Sequence, residues 1–261
     1  MLVFSLFFML LALKLVSAAD DLYWVDSSCP GGVQSAINEA LLMAKGSLPS
    51  LESPDRDYDV ELLFGDNSRK TTAKVRDILL GIANLRLGSP DTARIGIFCD
   101  NDNRWTDDIP KYPDNGQVPE LQRAYLDPST GSIRIGPPRC RFDPGYLAGV
   151  TYTNGRRTRT SITICDQYLT AQSVFTYEEI GIGKLDGESI DTTLLSIVIL
   201  HELTHMHSFD LDDEAYGWVQ CLDLSTEEAL RNADSYALWS LLCYLLDNGM
   251  WVENDTGIIH L

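Results

Sequence analysis

Apolar residues recur at helical spacing over Val33 to Lys45 ("VQSAINEALLMAK"), where Val33, Ile37, Ala40, Leu41 and Ala44 share a face ahead of Gly46. The same period returns from Thr71 to Leu87 ("TTAKVRDILLGIANLRL"), aligning Val75, Ile78, Leu79, Ile82 and Leu85 before Gly88 and Pro90 end it. These segments predict an N-terminal pair of helices joined by a stretch carrying Pro49 and Pro54. The middle of the chain changes period. "ARIGIFC" (93–99), "GSIRIG" (131–136) and "TSITIC" (160–165) alternate apolar and other residues between turn formers, which predicts strands. Between the first two of these, the stretch from Asp100 to Glu120 has no period and predicts a long loop at a cleft edge. Its Asp100, Asp102 and Asp107 lack the glycine and terminal glutamate of a calcium loop and are expected to be solvated. The last third returns to helix. A cap at Ser189 or Asp191 opens "TTLLSIVILHELTHMH", and the capping box of Ser225 with Glu228 opens "STEEALRNADSYALWSLLCYLLDNG", read as one helix ending at Asn248-Gly249. Helices, then strands, then helices predict an α+β fold.

The first 19 residues change the picture, because an apolar run followed by small residues reads as a secretory signal peptide cut near Ala18 or Ala19. The run is too short to span a membrane. Residues 20–261 then form a secreted part long enough for a single domain, with a helical and strand part over 20–188 and a further part over 189–261. Six cysteines (Cys29, Cys99, Cys140, Cys165, Cys221, Cys243) in an exported chain predict up to three disulfides, and no Cys-x-x-Cys pair points to cysteine-bound metal. The formal charge of −18 excludes nucleic acid as a partner and favours encounter with cationic polypeptides. Asn254-Asp255-Thr256 is a glycan sequon. The protein reads as a monomer.

The chemistry concentrates in "IVILHELTHMHSFDLDDEAYG" (197–217). His201 and His205 lie one turn apart on a helix face, and Glu202 flanks them, the spacing that lets two imidazoles share a metal ion while a carboxylate addresses water. A hydrolytic zinc site needs a third protein ligand and an open position. A metzincin would have a glycine and a third histidine where Ser208 and Leu211 stand, so that class fails. A glutamate from a later helix, Glu227 or Glu228, is one alternative, and Asp210, Asp212, Asp213 and Glu214 supply others. His207 points to a different helix face and reads as a surface residue.

Asp213, Tyr216 and Gly217 form a D-x-x-Y-G element, and with "ALRNADSYALW" (229–239), the metal helix, "VDSSC" and "ICDQYL" the chain resembles the aspzincins, the deuterolysin-type secreted zinc endopeptidases of fungi that include lysine-specific members. That resemblance implies a zincin-like fold with N-terminal helices, a small mixed or antiparallel sheet and two long C-terminal helices. It also implies one Zn²⁺ held by His201, His205 and Asp213, with Glu202 as general base and Tyr216 stabilising an oxyanion. Asp234 would orient a ligand histidine or line the substrate pocket. The implied function is a secreted endopeptidase acting on polypeptides, including basic ones, with no membrane attachment once the signal peptide is gone. Two departures stand out. The family has Gly-Thr where this chain has Asp210-Leu211, and lysine-specific members have a glutamate where this chain has Ala237, which argues against strict lysine specificity. The altered turn also frames a second reading, a catalytically inactive protein of the same fold that binds a partner.

Overall fold

The computed structural model describes residues 22–106, 124–142, 148–154, 158–169, 176–191, 194–206, 208–209 and 211–261. The expected signal peptide, Asp107, His207 and Asp210 lie outside the described residues. The architecture is α+β. Its strands are β1 (Leu22–Val25), β2 (Arg86–Leu87), β3 (Ile95–Phe98), β4 (Ala124–Asp127), β5 (Ser132–Ile135), β6 (Gly149–Thr153), β7 (Thr160–Ile164), β8 (Trp251–Val252) and β9 (Ile259–His260). Its α-helices are α1 (Gly32–Ser47), α2 (Asp57–Phe64), α3 (Arg69–Ala83), α4 (Arg139–Phe142), α5 (Tyr177–Ile180), α6 (Leu195–Thr204), α7 (Trp218–Leu222), α8 (Thr226–Ala229) and α9 (Ala233–Asp247).

A five-stranded mixed sheet runs in the order β2-β1-β3-β7-β6. Its first four strands are parallel and β6 closes one edge antiparallel to β7. Ile95, Ile97, Ile162 and Ile164 are sealed in the main core, as expected of parallel strands covered on both faces. Helices α1, α6 and α9 pack against one another, and α6 also contacts β6. A second, smaller core of Trp105, Tyr125, Cys140, Val150, Tyr152 and Cys165 involves β4, β6 and the segments flanking them.

Several expectations need correction. The helix predicted over Thr71–Leu87 ends at Ala83, and Arg86–Leu87 instead joins the sheet edge beside β1. Leu194, not Ser189 or Asp191, precedes α6. The single helix read from Ser225 to Asn248 is broken at Leu230–Asn232 into α8, which keeps the capping box, and α9. Within the expected ceiling of three, two disulfides form, Cys29–Cys99 and Cys140–Cys165, while Cys221 and Cys243 are free and buried. Asp102 is not solvated but fully buried, with Thr163 Oγ1, Tyr152 Oη and the Cys140 amide donating to its carboxylate. Three donors compensate for the burial of a charge that water would otherwise solvate.

Candidate metal centre

Every residue of α6 from Leu195 to Thr204 is buried, because a helix with apolar residues on all sides belongs inside the core. His201 and Glu202 are the ionisable exceptions within it, and buried polar groups of this kind need partners. His201 Nδ1 lies 2.8 Å from Asp234 Oδ1 at the start of α9. His205 Nδ1 lies 2.6 Å from the Leu211 carbonyl, and since a carbonyl only accepts, Nδ1 carries the proton. Both rings therefore direct Nε2 to the same point. The two Nε2 atoms are 3.2 Å apart, and each is 3.1 Å from Asp213 Oδ1.

That triangle can be tested against zinc. Bonds of about 2.0–2.2 Å at a tetrahedral centre set ligand atoms about 3.3–3.6 Å apart, close to the observed separations, and the donor set of two imidazoles and a carboxylate suits that ion. Among the described residues, His201, His205 and Asp213 are the group of metal-ligating side chains that converges in this way. Glu228 is committed to its capping box with Ser225, Glu214 pairs with Arg231 at 2.7 Å, and Asp212 is exposed with its main chain tied to Arg231 and Ala233.

The remaining predicted residues surround this cluster. Tyr216 is 57 % exposed and its ring stacks on His201 with centroids 5.8 Å apart, so it is not a core tyrosine. Asp234 Oδ2 accepts from the Gly217 amide at 2.7 Å, so one carboxylate ties the His201 ring to the loop that carries Asp213 and Tyr216. Gly217 has φ +79°, a conformation costly for other residues, and a Cβ there would sit 3.1 Å from Asp191 Oδ2. Glu202 is held from the sheet edge: Thr151 Oγ1 lies 2.7 Å from Glu202 Oε2 and 3.0 Å from its carbonyl. At Gly149, two residues earlier on β6, a Cβ would come within 2.9 Å of Glu202 Cγ, so only glycine leaves room for that side chain. Glu202, His201, Tyr216, Thr151 and Gly149 line one cavity of about 690 Å³.

Charges within the cluster sustain one another. Burial works against a charged His201, but hydrogen bonds to Asp213 and Asp234 and the nearby Glu202 charge overcome it and raise its pKa to about 10. His205 shifts in the same direction, with burial again opposing and Asp213 and Glu202 prevailing. Burial raises the Asp213 carboxyl, yet hydrogen bonds and charge from both histidines hold it far below the usual carboxylate range. Burial, followed by the charge on Asp213, pushes the Tyr216 phenol up, so it stays a hydrogen-bond donor at neutral pH.

Sequence reasoning did not single out Thr151, Gly149 or the Leu211 carbonyl. A backbone oxygen leaves no residue-type signal, and the β6 residues approach the metal helix only through the tertiary fold.

Residues 140–240 match the family described as lysine-specific metallo-endopeptidase. A neutral protease 2 homolog of Uncinocarpus reesii (strain UAMH 1704) is 41 % identical over 49 residues, which is 18 % of this chain and 14 % of that relative's length. The solved zinc peptidase from Grifola frondosa matches over 81 % of this chain and 96 % of its own at 15 % identity and a TM-score of 0.46.

Proposed function

We propose, with residues 140–240 belonging to the aspzincin family as the premise, that this chain is a secreted zinc-dependent endopeptidase. The observation that carries the reading is the convergence of His201 Nε2, His205 Nε2 and Asp213 Oδ1 within 3.2 Å of one another beside a cavity large enough for a peptide segment. These three side chains would hold one Zn²⁺. When bound, the ion supplies Lewis acidity that acidifies water and polarises a peptide carbonyl.

The chain's own residues do the rest. Glu202 Oε2 is occupied by Thr151, which leaves Oε1 to accept a proton from the attacking water and return it to the leaving amine. Tyr216, exposed beside His201 and held protonated, donates to the oxygen that becomes negative. Asp234 keeps His201 in the tautomer that frees Nε2. With both carboxylate oxygens engaged, and with fully buried Ala237 where lysine-specific members have a glutamate, Asp234 does not build a dedicated lysine pocket. The acidic residues around the cavity and the net charge of −18 draw basic polypeptides more generally. Two disulfides fit an oxidising extracellular setting, and among the described residues no helix is long and apolar enough to cross a membrane.

The test compares wild type with Glu202→Gln on an unfolded basic polypeptide while zinc content is measured. Equal zinc with cleavage reduced by about 10²–10⁴-fold is expected, the range typical of a general base. Equal zinc and no cleavage by either protein would instead support the partner-binding reading.

A further inference from the structure

The altered turn ahead of Asp213 raises the question of what holds this ligand in place. Asp213 sits in a loop, and a third of its side chain is exposed. On its N-terminal side, the Asp212 amide donates to the Arg231 carbonyl at 2.8 Å and the Ala233 amide to the Asp212 carbonyl at 2.9 Å. On its C-terminal side the next two amides, of Glu214 and Ala215, both donate to Asn232 Oδ1 at 3.0 Å. Asn232 is fully buried, and its Nδ2 donates to Ser235 Oγ at 3.1 Å and to Cys221 Sγ at 3.3 Å. Both ends of this side chain are thus used, and its orientation follows from the network.

We infer that Asn232 is a positioning residue for Asp213, fixing the main chain immediately after it so that Asp213 Oδ1 meets the two imidazoles before an ion arrives. The break between α8 and α9 then has a cause. A helix running straight through Leu230–Asn232 would commit the 231 carbonyl to a helical amide and redirect the 232 side chain, and the loop would lose its anchor. The inference rests on the zinc-site reading above but concerns the rigidity of the ligand loop, not peptide cleavage.

Zinc affinity is the readout. Asn232→Ala is expected to weaken zinc binding by about tenfold or more, the usual effect of removing a group that orients a ligand. In an Asp213→Ala background the same change is expected to add almost nothing, since it acts through Asp213, whereas a merely structural role would lower affinity equally in both backgrounds. Wild-type affinity in Asn232→Ala, or a full effect in the Asp213→Ala background, overturns the inference. Amide exchange in the metal-free wild type decides the matter even where the variant does not fold: protected Glu214 and Ala215 amides support the clamp, and exchange at free-peptide rates overturns it. A wild type that binds no zinc sinks the zinc-site reading itself. Zinc binding without cleavage sinks only the endopeptidase reading and leaves these measurements valid.

Discussion

Asp102 and Asp213 are both carboxylates held by several donors, yet they do opposite work. Asp102 is sealed beside the smaller core, where Thr163, Tyr152 and the Cys140 amide use both of its oxygens and Arg104 Nη1 stands 3.7 Å away. Asp213 offers one oxygen to two imidazoles and keeps a third of its side chain open. In the first region polar valence is used up on structure. In the second it is left available, and Asn232, Asp234 and Leu211 hold the ligands from behind. A closed network stabilises a fold, and an open one that is anchored elsewhere can bind.

Breaking the closed region should cost stability and little else. Replacing both Cys140 and Cys165 with alanine is expected to destabilise the metal-free protein by about 3 kcal/mol, given the loop-closure entropy of a bridge 25 residues apart. Urea unfolding measures that loss. Zinc titration of the folded variant should return the wild-type Kd, and a shift beyond about threefold would mean that the two regions are not separable.

The regions touch along β6, which puts Val150 and Tyr152 into the smaller core while Gly149, Thr151 and Thr153, with Val150 at the border, line the cavity. Thr151→Val keeps the shape and removes the hydroxyl that holds Glu202. We expect kcat to fall about tenfold, or about 1.4 kcal/mol in barrier, with zinc affinity unchanged. Thr151→Ser should recover most of the loss. An unchanged kcat in Thr151→Val would show that Glu202 is held by its helix alone.

The same contrast explains what the sequence made legible. In the metal region, the capping box and the H-E-x-x-H spacing are local signals that point to α8, α6 and the pair His201 and His205, whereas Asp213 stands out among neighbouring carboxylates only through the family resemblance of its D-x-x-Y-G register; the structure brings these three side chains together. The break before α9 was hidden, because "STEEALRNADSYALW" carries a helical period straight through it, and the bonds that Arg231 and Asn232 make to residues 212–215 are tertiary contacts with no local signal. The smaller core gave less. The strand over 131–136 was legible as β5, but its partner β4 and strand β6 are only four and five residues long, and β6 begins at a glycine, a poor strand former. Asp102 looked like any loop acid, since its partners lie 38 to 61 residues away in sequence.

The smallest expected effect is a proton count, and it separates the two carboxylate regions most directly. In the metal-free fold the His201 pKa is raised to about 10, against about 6.5 in an unfolded chain. Its contribution to stability is therefore complete below pH ~6.5 and lost as pH rises through about 10. Asp213 is shifted the other way, so its contribution is present above the ordinary carboxylate range and lost as pH falls toward its depressed folded value. Between these limits the cluster is held by protons that a metal ion must displace, because an imidazole ligates only through an unprotonated nitrogen. Zinc binding near pH 7.5 should release about one proton or more, read as a dependence of calorimetric enthalpy on buffer ionisation enthalpy, and zinc affinity should rise by about a decade per pH unit. The Cys140→Ala, Cys165→Ala variant should release the same number, since its altered region shares no titrating group with the site. Zinc binding without proton release would mean that the cluster is already deprotonated and that repulsion, not proton sharing, governs the metal-free site.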